Sequence, residues 1–381
     1  MTIFTLIAIS MAVHSCYIGS KVVVSLFALS LGASQFTVGI LAACYAFFPL
    51  LLGVYTGRLA DTRGLRMPLM VGAALTCCGM TAGFLWRDLA GLFAVAAMMG
   101  AGFVLFNVSV QTLAGALGEA KHRTRNFAWL TIGYSSSNLI GPVLAGFSID
   151  LVGHAYTFLM FAFFPLAPLT LLYLKPRSAN VTRTPRTDDT KHSAFDLLGD
   201  PALRKVIIIS GLSVASAELF AFYVPVFAHE IGLSASMTGI VLGSYALAIV
   251  LMRFMLGQIM RRLEPEQIMV WFLLVAAAAF GVFPLFTSAY ALMATAFVIG
   301  IGVGATQPIL MTISYERSPP GRTGEMTGVR LTVNNLARMS MPLVSGALGA
   351  AFRTSPVFWM NACNLLLTSY LSRKPKKPRE R

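Results

Sequence analysis

Charge is what this 381-residue sequence has least of: Asp, Glu, Lys and Arg together make up 12% of it, and only 15 residues are acidic. Water-soluble chains carry about 25%, so a soluble fold is excluded at the outset. Cysteine is sparse too. Its five copies, Cys16, Cys44, Cys77, Cys78 and Cys363, all sit inside apolar runs, which suits small packing residues and excludes a disulfide framework or a thiolate metal site. The five histidines, at 14, 122, 154, 192 and 229, are dispersed, and no Cys-x-x-Cys, His-Glu-x-x-His or phosphate-binding loop occurs. An enzyme needs a clustered nucleophile, metal or acid-base pair, so no catalytic residue, cofactor or metal is expected. Period-two alternation is missing as well, which excludes the strands of a membrane barrel.

What is present is apolar length. Hydrophobic residues make up 56% of the chain and its mean hydropathy is +0.74. A spanning helix needs about 20 mostly apolar residues, and twelve such runs lie near 3–30, 36–57, 67–86, 90–115, 127–150, 154–174, 204–228, 235–259, 267–288, 290–314, 326–350 and 355–372. In lipid every backbone polar group has to be satisfied within its own element, so these runs are helices and the chain is an all-α integral membrane protein. The first run is too long for a removable signal peptide and lacks a basic leader and a small-residue cleavage site, so it is expected to stay.

The formal charge of +14 first raises a nucleic-acid partner. Placement removes that reading. Of 29 Lys and Arg, 23 fall in the loops after even-numbered runs or in the tail Arg373 to Arg381, two (Arg87 and Arg353) in the loops after odd-numbered runs, and four within runs. By the positive-inside rule both termini are cytoplasmic, with anionic lipid headgroups as neighbours of the tail.

Shifting the sequence by 200 aligns it with itself. Gly32, Ser34, Gly39, Ile40, Tyr45, Ala46 and Gly57 match Gly232, Ser234, Gly239, Ile240, Tyr245, Ala246 and Gly257; Gly100 and Gly102 match Gly300 and Gly302, and Pro142 and Gly146 match Pro342 and Gly346. Transporters commonly contain such repeats. The expected organisation is two pseudo-symmetric six-helix halves, 1–174 and 203–372, joined by a polar cytoplasmic linker, 175–202, and followed by a basic tail, 373–381. A short surface helix is expected near Ser193 to Pro201.

Two motifs carry a family resemblance. After the second run the sequence reads Gly57-Arg58-Leu59-Ala60-Asp61-Thr62-Arg63-Gly64-Leu65-Arg66, and the fifth run contains Gly141-Pro142-Val143-Leu144-Ala145-Gly146. The first resembles the loop motif of the major facilitator superfamily, and the second is similar to the Gly-Pro motif of its drug/proton antiporter branch. The resemblance implies the twelve-helix fold of that superfamily. It also implies a conformational latch at Gly57, Asp61, Gly64 and Arg66 that contacts the other half and breaks on opening inward. Gly57 permits close packing, Gly64 a tight turn, and Asp61 complements a helix N-terminus; a solvated loop obeying the positive-inside rule is the alternative. Gly141, Pro142 and Gly146 make a bendable helix, either a structural kink or a coupling element. The sequence departs from the antiporter branch in two places: Ala96 stands where an Arg precedes Gly100 and Gly102, and residues 3–30 contain no acid. That branch's familiar proton arrangement is therefore absent.

A charge near the bilayer centre costs about 2.5 to 3.5 kcal/mol on insertion scales, so each one inside a run needs a reason. Arg253 and Arg330 lie within reach of the interface and can snorkel, or they line the site. Lys21, Glu218 and Arg338 are deeper, and Glu218 is the one acid deep within any run. It is either the proton carrier or the fixed ion-pair partner of Lys21 or Arg338. His14, Tyr17 and Lys21 are spaced i, i+3, i+7 on one helix face; a cavity-lining face is favoured over a satisfied core histidine. Arg330, Asn334 and Arg338 form a stripe at i, i+4, i+8, and Asn107 and Gln307 occupy repeat-related positions as substrate contacts or as polar packing groups.

The expected function is secondary active transport by alternating access in the cell inner membrane, by a monomer. Four basic residues against one acid within the runs predict a small organic anion as substrate, with a proton as coupling ion in symport or antiport. The alternative is a multidrug/proton antiporter, supported by the Gly-Pro motif and by 27 Phe and 19 Met. A transporter-like receptor or sensor is the reading from another class.

Overall fold

The computed structural model describes residues 2–117, 123–174, 194–318 and 323–373; the linker between 175 and 193 and the tail beyond 373 lie outside them. Among the described residues all regular structure is helical: α1 (Ile3–Ser30), α2 (Gln35–Arg63), α3 (Arg66–Leu85), α4 (Leu89–Ala116), α5 (Arg123–Ala162), α6 (Leu166–Leu174), α7 (Pro201–Glu230), α8 (Ala235–Ile259), α9 (Pro265–Val282), α10 (Ala289–Gly304), α11 (Thr306–Arg317), α12 (Thr323–Phe352) and α13 (Ser355–Ser372). A 3-10 helix, Ala194–Gly199, occupies the place where a short surface helix is expected.

Nine described stretches are long and apolar enough to cross a membrane. One of them, Arg125–Leu174, runs for 50 residues, about 75 Å of helix at 1.5 Å per residue, against a hydrocarbon core of about 30 Å. It turns at Gly153, whose φ is 79°, so it holds two passes. With α12 and α13, which are long enough but more polar, the backbone has room for the expected twelve. The run expected at 154–174 is divided between the end of α5 and α6 at Phe163–Pro165, and the run at 290–314 is divided at Ala305. Pro165 and Pro308 explain the breaks, because a proline donates no N–H and crowds the carbonyl four residues back. Helix α2 continues to Arg63, so Gly57 and Asp61 are helical rather than in a loop.

The repeat in the sequence is a repeat in structure. The α1–α2 and α7–α8 turns use the same device: Gly32 at φ 80° and Gly232 at φ 77°, with Ala33 N–H bonding the Ala28 carbonyl at 2.9 Å and Leu233 N–H the Ala228 carbonyl at 2.8 Å. These are C-terminal caps of the kind glycine permits. Ser34 and Ser234 then cap the next helices by accepting from Thr37 N–H at 3.2 Å and Met237 N–H at 3.3 Å.

Two seams join α1–α6 to α7–α13. Helix α2 packs along α12, and α5 along α8. A Cβ on Gly39 would stand 2.6 Å from the Pro342 carbonyl oxygen, and one on Gly239 would stand 2.5 Å from that of Pro142. Both seams thus bring a proline carbonyl onto a glycine, and no larger residue fits. Polar contacts reinforce the end that carries the Gly32 and Gly232 turns. Asp150 accepts from the first N–H groups of α8, Ala235 at 3.2 Å and Ser236 at 2.8 Å; Gln35 donates to Thr354 at 2.9 Å, Thr354 to Glu230, and Arg353 pairs with Glu230 at 3.0 Å. Toward the opposite end one described side-chain bond crosses a seam, Arg253 of α8 to Ser135 of α5, while Arg66 bonds the Leu172 carbonyl, Lys205 the Arg373 carbonyl and Arg317 Glu266, each on its own side. Large apolar side chains such as Leu151, Phe254, Trp271 and Tyr290 are exposed around the bundle, as a lipid-facing surface requires.

Replacing Gly39 or Gly239 by valine overfills its seam, which costs about 1 to 3 kcal/mol in a packed core. Thermal unfolding in detergent should show both variants destabilised to a similar degree. A loss confined to one of them contradicts the equivalence of the seams.

Candidate functional site

The deepest charges converge. Helix α1 carries Lys21 into contact with Glu218 of α7: Nζ donates to Oε1, and the two side chains are 6% and 15% exposed. Arg338 of α12 approaches the other oxygen, Nε to Oε2 at 3.9 Å, and its side chain remains 46% exposed. One carboxylate therefore faces two cations, one sealed and one open. Because the three residues come from α1, α7 and α12, the cluster spans both repeats.

Aromatic rings wall it. The Lys21 ammonium lies 5.0 Å from the centroids of Tyr17 and Phe222 and 6.0 Å from that of Tyr45. Tyr17 stacks on Phe103 at 3.8 Å with 9° between the planes, and Tyr45 bonds Ser20 at 3.0 Å. Ring faces attract a cation, so this cage holds the Lys21 ammonium where water cannot solvate it.

The remaining predicted residues fall into neighbouring groups. His14 lies against Phe103 and Tyr134, with Nδ1 buried and without a hydrogen-bond partner; it shares the Tyr17 wall as its spacing predicts. Tyr134 donates to Asn107 at 2.6 Å. Ser210 donates to Asn334 at 3.0 Å, and Gln307 bonds the Ser210 carbonyl and the Arg330 guanidinium, each at 3.4 Å. Arg253 does not join the centre; it crosses the α5–α8 seam to donate to Ser135.

The motif residues act on packing in this conformation. A Cβ on Gly141 would meet the Ser15 carbonyl of α1 at 2.7 Å, the Pro142 carbonyl faces Gly239, and Gly146 abuts Ala235 and Ser236 of α8. Gly64 ends α2 at φ 78°. The Asp61 side chain lies outside the described residues, and Arg66 bonds the Leu172 carbonyl on its own side. Sequence reasoning missed Phe103, Phe222, Ser135 and Asp150. Tyr45 carried a signal, as one member of a repeat pair.

A sealed ion pair, a half-open guanidinium, aromatic walls and no group of possible metal ligands among the described residues suit binding and release of a solute between two helical units. The Major Facilitator Superfamily profile matches residues 3–340, and again 206–381. The chain belongs to the Major Facilitator Superfamily. It is accordingly a multi-pass membrane transporter. It is similar to "Multidrug resistance protein MdtG" of Serratia proteamaculans, 25% identical over 365 residues, 90% of this chain and 85% of the relative. The protein of that name from Yersinia enterocolitica is 24% identical over 369 residues, with the same coverage. Among solved structures it resembles a POT family transporter in complex with a thioalcohol-conjugated peptide (TM-score 0.82, 14% identity, 97% of this chain and 94% of that one). It also resembles the nucleoside transporter NupG (TM-score 0.79, 12% identity, 97% and 99%). At these identities the structures establish the superfamily fold alone.

Breaking a buried pair by removing one partner leaves an unpaired charge, a loss of about 3 to 5 kcal/mol. Lys21→Met and Glu218→Gln should each lower thermal stability strongly, and the double variant should lose less than the two singles added together. Strict additivity in that cycle contradicts the pair.

Proposed function

We propose that the chain is a proton-coupled secondary transporter of the inner membrane that moves small amphipathic organic anions by alternating access, with both termini in the cytoplasm. The observation that carries this reading is Arg338: a guanidinium 46% exposed, whose one carboxylate contact is 3.9 Å long and goes to a Glu218 already bonded by Lys21. An incoming carboxylate or phosphate would take the open donors of Arg338, and the Tyr17–Phe103 wall would hold its apolar body. Charge-assisted hydrogen bonds of this kind are the strong ones.

The coupling follows from charge. Two cations and one carboxylate leave the empty centre at +1. A proton on Glu218 removes the counter-ion of Lys21 and Arg338, and an anion restores it, so each favours the other's arrival. With the basic ends inside, the Gly32 and Gly232 turns are external. The contacts of Asp150, Gln35, Glu230 and Thr354 then close the outer end, which makes this conformation inward-open. Opening outward requires those contacts to part and the Asp61–Arg66 latch to form.

The relatives' name favours a second reading, a multidrug exporter, and the aromatic walls suit varied apolar cargo. In proteoliposomes screened with an organic-acid panel, Arg338→Gln should weaken anion transport about tenfold or more. Equal uptake of neutral, cationic and anionic compounds by the wild type would support the exporter instead. Glu218→Gln should lose accumulation driven by a pH gradient while retaining exchange; unchanged accumulation removes Glu218 from the proton path.

A further inference from the structure

The transport reading leaves two arginines within the helices unused: Arg253, which donates to the Ser135 hydroxyl, and Arg330. Arg330 is 5% exposed, its described partner is the neutral Gln307 side chain at 3.4 Å, and its Nε is buried with no partner. Among the described residues no carboxylate pairs with it: the ion pairs there are Lys21–Glu218, Arg317–Glu266, Arg338–Glu218 and Arg353–Glu230. Buried charges are paired or they are costly.

The repeat supplies an internal control. Subtracting 200 from Ser210, Gln307, Arg330 and Asn334 gives Ser10, Asn107, Leu130 and Tyr134. Those residues form the equivalent seam in α1, α4 and α5, where Tyr134 bonds Asn107 at 2.6 Å and also faces the Ser10 hydroxyl. Leu130 is 2% exposed. The same backbone position is thus filled by leucine in one repeat and by arginine in the other, so the fold does not require a charge there.

We propose that Arg330 and the Asn334 amide, oriented by Gln307 and Ser210, form a binding site for one small monovalent anion, separate from the Lys21–Glu218–Arg338 centre. The Arg330 Nε–H is an unused donor. The Asn334 oxygen is occupied by Ser210, which leaves the Asn334 amide N–H groups to donate beside it. Arg330 lies eight residues from Arg338 on α12, about 12 Å along the axis, and the two have different partners, Gln307 and Glu218. Chloride and the carboxylate of a passing organic acid share the required chemistry: one negative charge, small radius and acceptor capacity.

Thermal unfolding of the purified full chain in detergent tests the site without any transport step. Sodium gluconate is replaced stepwise by chloride, or by formate, at constant ionic strength. The wild type should rise by roughly 2 °C or more with at least one of these anions; a response to chloride identifies an inorganic ion, and a response to formate alone a carboxylate. Arg330→Leu, which installs the residue of the other repeat, should show no anion-dependent rise and should be at least as stable as wild type in gluconate, since a buried unpaired charge has been removed. Arg338→Gln should keep the rise. Failure of every anion to stabilise the wild type, or a rise retained in Arg330→Leu, overturns the proposal. If Arg330→Leu does not fold, Arg330→Gln is read by the same criteria. Failure here leaves the transport of anions through Arg338 standing, because that is read as flux.

Discussion

The carboxylate of Glu218 is the constraint around which the structure is arranged. In a medium that penalises any isolated charge, an acid in the middle of α7 has to be answered from another helix. Lys21 answers it from α1, so the ion pair joins the two repeats at their deepest point. The cage of Tyr17, Tyr45 and Phe222 follows from the same requirement: it excludes water from Lys21 and substitutes ring faces for hydration. Arg338, placed on the second oxygen, is left half open.

Close backbone contacts are a feature of the two seams around this pair. Where α2 meets α12 and α5 meets α8, backbone lies against backbone at Gly39–Pro342 and Gly239–Pro142. Each proline frees a carbonyl and weakens its helix locally. Most of the described directional bonds across the seams, from Asp150 to α8 and among Gln35, Thr354, Glu230 and Arg353, are at one end, and Arg253 to Ser135 lies away from it.

The scaffold was legible in the sequence because lipid simplifies the code. Helix length, glycine at left-handed turns, proline at bends and the bias of basic residues are imposed by the bilayer, and they appeared as runs, as the 200-residue repeat and as the placement of Lys and Arg. The charged centre was legible for the same reason: Glu218, Lys21 and Arg338 are rare enough inside apolar runs to be conspicuous. The two readings of Glu218 could not be separated from the sequence, since pairing depends on which face of α7 meets α1. Phe103 and Phe222 were invisible among 27 phenylalanines, because an aromatic ring serves equally in a site, in a core or against lipid. The breaks at Phe163–Pro165 and Ala305 were missed because hydropathy is continuous across them.

Comparing the repeats position by position separates scaffold from chemistry. The residues that set turns and close contacts obey the repeat: Gly32 and Gly232, Ser34 and Ser234, Gly39 and Gly239, Pro142 and Pro342. Every charge deep within the helices breaks it. Lys21 stands opposite Ala221, Glu218 opposite Ile18, Arg253 opposite Gly53, Arg330 opposite Leu130 and Arg338 opposite Asn138. Folding in the bilayer requires the first set in both repeats, and each member of the second has an uncharged counterpart that the same fold accepts. The asymmetric charges are therefore not needed to build the helices, since the same backbone positions hold uncharged residues in the other repeat.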